Sequence, residues 1–115
     1  MITLKYKLKD TIMTPVVYGN WIDLYTSEEV IMKKGDYQLI DLGFVMELPQ
    51  GFEALVAPRS STFKHFGILM TNTIGVIDTN YKGDNDYWKF LAYATRDVII
   101  PKNTRIAHFR VFRNL

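Results

Sequence analysis

The sequence contains no cysteine, which excludes disulfide bridges and thiolate metal sites. Its two histidines, His65 and His108, lie far apart without a third ligand at metal-like spacing, so a zinc site is not expected. No apolar run approaches the roughly 18 residues of a membrane-spanning helix, and the start MITLKYKLKD lacks the apolar core of a secretory signal. The sequence therefore predicts a cytoplasmic, soluble protein without a membrane partner.

Charge of one sign is not in excess, since 14 basic and 12 acidic residues give a formal net charge of +2. This balance does not predict binding to nucleic acid polymers, so an anionic ligand would have to be bound locally. With 115 residues, 48% of them hydrophobic, the chain is predicted to form one domain, 1–115, with its own core. A domain of this size buries only about two-thirds of its unfolded surface. Assembly into an oligomer would add to that burial.

Short alternating or apolar segments, separated by residues typical of turns, predict an all-β fold that forms a sandwich or barrel. The predicted strands are 2–8, 22–25, 28–32, 37–45, 53–57, 68–70, 74–77, 88–94, 97–100 and 105–112. One helical turn is predicted within RSSTFKHFG, at 59–67, where Ser60 and Ser61 are suitable N-cap residues.

Two segments carry chemically informative residues, and each has a purely structural alternative. Arg59, Ser60 and Ser61 offer a guanidinium, two hydroxyls and backbone amides that suit phosphate oxygens. Such a triplet is more often a solvated loop or a helix cap. Asp78 follows the apolar run IGVI and precedes a Thr-Asn pair, so by itself it is best interpreted as an Asx-turn closing a hairpin.

The two segments are more informative in combination. LPQGFEALVAPRSS at 48–61 and NTIGVIDTNYKGD at 72–84 resemble the second and third motifs of the dUTP pyrophosphatase (dUTPase) family, which read approximately LPxGYxAxVxPRSS and NxxGxIDxxYxG. The matching positions are Pro49, Gly51, Ala54, Pro58, Arg59, Ser60, Asn72, Gly75, Ile77, Asp78, Tyr81 and Gly83. The family's fourth motif, usually GDRIAQ, is similar to NTRIAH at 103–108, and its first, usually AGxDL, is similar to NWIDL at 20–24.

The resemblance implies a jelly-roll subunit of a homotrimer, with active sites at the subunit boundaries. It also implies magnesium-dependent hydrolysis of dUTP to dUMP and pyrophosphate, by attack of water on the α-phosphorus. Asp78 would be the general base, and Arg59, Ser60 and Ser61 would bind the phosphates. Mg²⁺ would be bound mainly by the triphosphate, with Asp23 near the metal through water.

The resemblance further implies how the nucleoside is selected. Backbone groups of 74–78 would pair with O4, N3–H and O2 of uracil, whereas cytosine would leave polar atoms unpaired. Tyr81 would stack on the deoxyribose and leave no room for a 2′-hydroxyl. The residues assigned to uracil recognition are Asn72, Gly75, Val76 and Ile77.

The sequence departs from the family patterns in the first, fourth and fifth motifs. Trp21 replaces a glycine beside Asp23, and His108 replaces the glutamine of the fourth motif, so one phosphate contact at His108 is expected to be changed or titratable. No glycine follows Gly83 in these 115 residues, so the glycine-rich fifth motif that closes over the triphosphate is not found. We expect reduced activity unless the enzyme works without such an arm or a partner supplies one.

Two other hypotheses remain open. The chain could be a dUTPase-like module that binds a nucleotide or a protein and catalyses poorly. It could also be a relative of dCTP deaminase, which shares the fold and an Arg-Ser-Ser motif. The deaminase uses a glutamate on the strand after the third motif, and YWKFLAYA at 87–94 contains none, so this hypothesis ranks last.

Overall fold

The chain is built almost wholly of β-strands in the computed structural model, which describes residues 5–12 and 21–114. The strands are β1 (Lys5–Leu8), β2 (Ile22–Tyr25), β3 (Val30–Met32), β4 (Tyr37–Asp41), β5 (Phe44–Glu47), β6 (Phe52–Pro58), β7 (Ile68–Met70), β8 (Gly75–Ile77), β9 (Lys89–Ala94), β10 (Val98–Ile100) and β11 (Arg105–Arg113). A short helix, α1 (Thr62–Phe66), lies where the helical turn was predicted. The all-β prediction is confirmed, although residues 2–4 of the first predicted strand lie outside the described residues.

The strands form antiparallel sheets that face each other across one core. One sheet has four strands in the order β2-β11-β6-β8, and another has three in the order β4-β9-β7. β1 pairs with β5, and β3 pairs with β10. In the described parts of the chain, no helix has the length and hydropathy to cross a membrane.

Aromatic side chains fill the centre of the core. The ring of Phe44 lies 4.8 Å from that of Trp88 and 5.0 Å from that of Phe109, and Trp88 meets Phe109 edge-on at 5.3 Å. Edge-to-face contacts of this kind are favoured by the charge distribution of aromatic rings. Because Phe109 belongs to β11, this packing fixes the strand that carries the fourth motif. The largest fully buried side chains also include Phe90, Met32, Ile40, Leu42, Met46, Ile68, Ile100 and Ile106.

The predicted strand 37–45 is wrong, because it is two strands that belong to different sheets. The chain turns at Gly43, whose φ is +62° and whose N–H donates to Asp41 Oδ1 at 2.8 Å. Lys9 and Lys89 place their Nζ atoms 3.4 and 3.2 Å from Asp41 Oδ2. Burial alone would raise the pKa of Asp41, but the Gly43 hydrogen bond and the two lysines together lower that pKa below its ordinary value.

The predicted hairpin after β8 is also wrong. β8 pairs with β6 in the four-stranded sheet, whereas β9 pairs with β4 and β7 in the three-stranded sheet. Burial explains this, because Tyr87 and Trp88 are drawn into the core just before β9 and carry the chain into the other sheet. Residues 78–88 therefore form a crossing loop between two sheets.

Replacing Gly43 by alanine is expected to destabilise the fold by about 2–4 kcal/mol, combining left-handed backbone strain with overpacking. A Cβ at this position would collide with the backbone carbonyl of Lys9 and lie 2.9 Å from Ser27 Cβ. Gly35 is the matched control, since its φ is +91° but a Cβ there meets nothing within 4 Å. Urea unfolding should show a loss of only about 1 kcal/mol for Gly35→Ala. Equal losses in the two variants would contradict the collision at Gly43.

Candidate active site

One group of predicted site residues lies on the outer face of the four-stranded sheet. Asp23 of β2 and Ala57 of β6 are the register partners of His108, which lies between them on β11. Register partners share a face of a sheet, and the residues on either side of Asp23 are buried in the core. Asp23 and His108 therefore point away from the core. Arg59 directly follows the end of β6, and its side chain reaches Asp23 on this face.

Asp23 is clamped by two arginines. Arg59 Nε lies 3.1 Å from Asp23 Oδ1, and Arg105 Nη1 lies 3.5 Å from Asp23 Oδ2. The side chains of Arg59 and Asp23 are only 29% and 21% exposed, so solvent screens this pair less than a surface pair. Because Arg59 uses Nε for Asp23, its two Nη groups are left to bind an anion.

Arg105 is a member of this group that was not predicted. It is the arginine of NTRIAH, and it matches the arginine of the fourth motif. The prediction took only the last residue of that motif, His108, as a ligand contact. Matching the motif's charged position as well would have identified Arg105.

His108 packs against Trp21, with ring centroids 4.5 Å apart and an angle of 35° between the ring planes. Burial is the main cause that lowers the pKa of His108 below its ordinary value. Arg59 lowers that pKa further, and Asp23 opposes both effects. His108 forms no hydrogen bond with any residue of 5–12 or 21–114, so both imidazole nitrogens are available to a ligand.

The loop that carries the two serines is anchored to β11. Thr62 is buried, and its Oγ1 donates to the carbonyl of Ile106 at 2.7 Å, while Arg59 N–H donates to the same carbonyl at 3.4 Å. Ser61 occupies the N-cap position of α1, as predicted, but its hydroxyl does not cap the helix. Neither the Ser60 hydroxyl nor the Ser61 hydroxyl forms a hydrogen bond with a described residue, and the two serines directly follow Arg59 in the chain.

A second group of predicted residues surrounds Asp78. Asp78 Oδ1 accepts a hydrogen bond from Asn80 N–H at 2.8 Å, and the Asp78 carbonyl accepts one from Tyr81 N–H at 3.3 Å. This is the Asx-turn that the sequence predicted as the structural alternative. The second carboxylate oxygen, Oδ2, accepts no hydrogen bond from a described residue, and Asp78 is exposed. The turn thus fixes one oxygen and presents the other to solvent.

Tyr81 lies in the same turn. Its hydroxyl donates to the carbonyl of Tyr87 at 3.4 Å, which directs the ring along the crossing loop. Burial, followed by the charges of Asp86 and Asp41, raises the pKa of Tyr81 above its ordinary value. The side chain is 38% exposed, so one part of the ring remains open to a ligand.

The residues predicted to read uracil lie along one open strand edge. β8 pairs only with β6 among the described strands. Alternate residues of an edge strand direct their N–H and C=O groups away from the sheet. Asn72 lies in the turn before β8, where its carbonyl accepts from Ile74 N–H at 2.6 Å. Asn72, Gly75, Val76 and Ile77 therefore lie together, directly before Asp78.

The two groups lie at opposite ends of β6. Ile77 is the register partner of Ala54, so Asp78 lies beside Glu53, whereas Arg59 follows the other end of the strand. Six residues of extended chain, from 53 to 59, span about 20 Å. A general base and a phosphate-binding side chain must each come within about 3 Å of the atoms that they serve. In this arrangement, Asp78 and Arg59 of one copy therefore do not reach the same phosphate.

A cleft of about 280 Å³ adjoins the Asp78 turn. Its walls come from the start of β1, the β5–β6 connection and the residues that follow Asp78, and none belongs to the Arg59 group. The lining residues are Lys5, Glu47, Leu48, Pro49, Gln50, Thr79, Asn80 and Lys82.

Within one copy, the described side chains do not form a metal site held by protein alone. In the part of the chain that the structure describes, no three His, Asp or Glu residues cluster closely enough to bind a metal ion. Both carboxylate oxygens of Asp23 are paired with arginines. A magnesium ion held mainly by a triphosphate needs few protein ligands, so this arrangement fits that mode of binding. The contact of Asp23 with magnesium through water stays a prediction.

Comparison with known proteins gives matches that include both groups. The dUTPase family model matches residues 21–113. The SPbeta prophage-derived deoxyuridine 5'-triphosphate nucleotidohydrolase YosS of Bacillus subtilis (strain 168) is 55% identical over 97 residues, which cover 84% of this chain and 68% of that protein. The deoxyuridine 5'-triphosphate nucleotidohydrolase of Thermoanaerobacter sp. (strain X514) is 45% identical over 65 residues, or 55% of this chain and 44% of that protein. The matches thus span only part of the length of these relatives.

Solved structures share the fold at low sequence identity. The dUTPase of Streptococcus mutans superposes with a TM-score of 0.83 at 18% identity, covering 96% of this chain and 95% of that one. A mutant dUTPase from phage phi11 of S. aureus, described with a structural Mg(II) ion, gives a TM-score of 0.83 at 14% identity and covers 99% of this chain and 92% of that one. These likenesses confirm the predicted fold.

Proposed function

Because the chain belongs to the dUTPase family, we propose that it hydrolyses dUTP to dUMP and pyrophosphate. The observation that carries the proposal is the placement of Asp78. Its free carboxylate oxygen lies at the end of the open β8 edge, where the uracil-reading residues are gathered. A nucleoside bound along that edge would have its α-phosphate next to Asp78.

Asp78 is the general base of the proposed reaction. Its Oδ2 accepts a proton from a water molecule whose oxygen attacks the α-phosphorus. The bond from that phosphorus to the bridging oxygen breaks, and pyrophosphate leaves with the bonding electrons. The Asx-turn holds the carboxylate in place before the substrate arrives, which avoids a reorganisation cost during the reaction.

The Arg59 group binds the phosphates in this scheme. The two Nη groups of Arg59 and the hydroxyls of Ser60 and Ser61 offset negative charge that develops on the phosphate oxygens. Asp23 acts on Arg59, because the Nε ion pair at 3.1 Å fixes the orientation of the guanidinium. Magnesium is proposed to bind mainly through the triphosphate, where it neutralises part of the phosphate charge.

Working sites are proposed to lie between copies of the chain in a homotrimer. The separation of about 20 Å between Asp78 and Arg59 supports this, since two copies are needed to complete one site. The outer face of the four-stranded sheet and its rim also expose apolar side chains. Trp21 is 40% exposed, Ile74 is 38% exposed and Val76 is 63% exposed. A closed ring lets every copy give its Asp78 to one neighbour and its Arg59 to the other.

The substrate assignment is tested by measuring pyrophosphate release from dUTP, dCTP, dTTP and UTP in the presence of Mg²⁺. The open β8 edge should favour dUTP over dCTP by about 10⁴-fold in kcat/KM, because cytosine leaves buried polar groups unpaired. Ammonia release from dCTP would instead support the deaminase hypothesis. Tight binding of dUTP without any pyrophosphate release would support a binding module and contradict the proposed enzyme.

A further inference from the structure

Two departures from the family patterns meet in the folded chain. Trp21 stands where the first motif has a glycine, and His108 stands where the fourth motif has a glutamine. These positions are 87 residues apart in the numbering, yet their rings are in contact at 4.5 Å. The contact exists because β2 and β11 are neighbours, with Asp23 paired to His108 and Trp21 two residues before Asp23.

We infer that Trp21 is a positioning residue that holds the ring of His108 in contact with the triphosphate of dUTP. The inference rests on the proposed function. It assigns Trp21 no direct contact with substrate, only an action through His108.

The surroundings of His108 explain why its ring needs such support. On one side its strand neighbour is Ala57, whose methyl group offers no hydrogen bond. On the other side its neighbour is Asp23, whose oxygens are taken by Arg59 and Arg105. No described side chain hydrogen-bonds to the imidazole, so packing against Trp21 is what limits its rotamers.

The same surroundings direct the imidazole toward an anion. His108 shares the outer sheet face with Asp23, whose partner Arg59 keeps its Nη groups open to a phosphate. A neutral imidazole offers one N–H donor and one acceptor, so it can replace the donor of a glutamine amide. The imidazole is shorter and stiffer than a glutamine side chain, and a glycine at position 21 would leave it without a side chain to pack against. Trp21 provides that packing surface.

A double-mutant cycle with the non-hydrolysable analogue dUpNHpp tests the inference. Trp21→Leu keeps apolar bulk without a ring, and it should weaken the Kd about tenfold, the size that an aromatic pair contributes. Trp21→Phe should recover most of that loss. In a His108→Gln background, Trp21→Leu should change the Kd less than about twofold, because the side chain that it positions is gone. An equal tenfold loss in both backgrounds would show a merely structural role for Trp21 and would overturn the inference.

Imidazole NMR gives a second readout that does not depend on hydrolysis. The protein has two histidines, and His65 is exposed and serves as the internal reference. The ring protons of His108 should be shifted upfield by Trp21, should lose that shift in Trp21→Leu, and should move when dUpNHpp binds. His65 should do none of these.

The two proposals can fail separately. If dUTP is not hydrolysed but dUpNHpp moves the His108 resonances in a Trp21-dependent way, the inference stands and the enzyme assignment fails. If dUTP is hydrolysed but the His108 resonances do not move when dUpNHpp is added, the inference is overturned. Thermal unfolding and the oligomeric state of Trp21→Leu are measured alongside, and Trp21→Phe decides the question if the leucine variant does not fold.

Discussion

Replacing Asp78 by asparagine is expected to lower kcat for dUTP hydrolysis by about 10²–10⁴-fold, the contribution of a positioned general base. The structure makes this substitution specific. The side-chain carbonyl of asparagine can still accept the hydrogen bond that Asn80 N–H now gives to Oδ1 at 2.8 Å, so the turn is preserved. The amide that replaces Oδ2 cannot accept a proton from water. The Kd for dUpNHpp should therefore stay within about threefold of wild type.

Asp84 provides the matched control for this prediction. It is an exposed aspartate in the same crossing loop, outside both site groups, so Asp84→Asn removes the same charge without removing the base. Steady-state kinetics with dUTP should show kcat within about twofold of wild type for Asp84→Asn. If the two variants lose kcat to a similar extent, the loss is caused by the change in loop charge and not by removal of the base. A kcat within tenfold of wild type in Asp78→Asn would remove Asp78 from the role of base.

The strands could largely be predicted from the sequence, because several of them, such as β2, β3, β7 and β9, bury alternate residues and lie between turn-forming ones. The failure at 37–45 has a physical cause. DLGFVME continues the apolar pattern through Gly43, but the chain turns there, where Gly43 N–H donates to Asp41 and Asp41 also pairs with Lys9 and Lys89. Local periodicity carries no information about such partners.

The motifs could predict which residues form the site, but they could not predict how those residues lie relative to one another. The motifs named Arg59 and Asp78 without showing that they lie at opposite ends of β6, since that follows from the register of β6 with β8. The hairpin was wrong for the same reason, because the pairing of β8 with β6 competes with pairing to β9. The contact of Trp21 with His108 likewise depends on the register of β2 with β11. Each of these is a long-range pairing that no single segment encodes.

The separation of Asp78 from Arg59 predicts that two inactive variants restore each other's activity. Arg59→Ala should lower kcat/KM by at least about 10²-fold, because it removes a group that binds the phosphates. Asp78→Asn removes the general base. In a mixed assembly, one copy can contribute an intact Arg59 and its neighbour an intact Asp78. With equal amounts of both chains, each site has one chance in two of receiving each intact group. About a quarter of the sites should then work, and co-refolded mixtures should recover about a quarter of wild-type activity.

The control for this complementation is a mixture of Asp78→Asn with Asp78→Ala, in which no site can receive a base. That mixture should stay at the level of the separate variants, because exchange of copies supplies nothing new. Size-exclusion chromatography must show the same oligomer for wild type and for both mixtures, so that recovery reflects composition and not assembly. If Arg59→Ala mixed with Asp78→Asn gives only the mean of the two residual rates, Asp78 and Arg59 act within one copy. The distance of about 20 Å along β6 would then have to close by a rearrangement of β8 against β6.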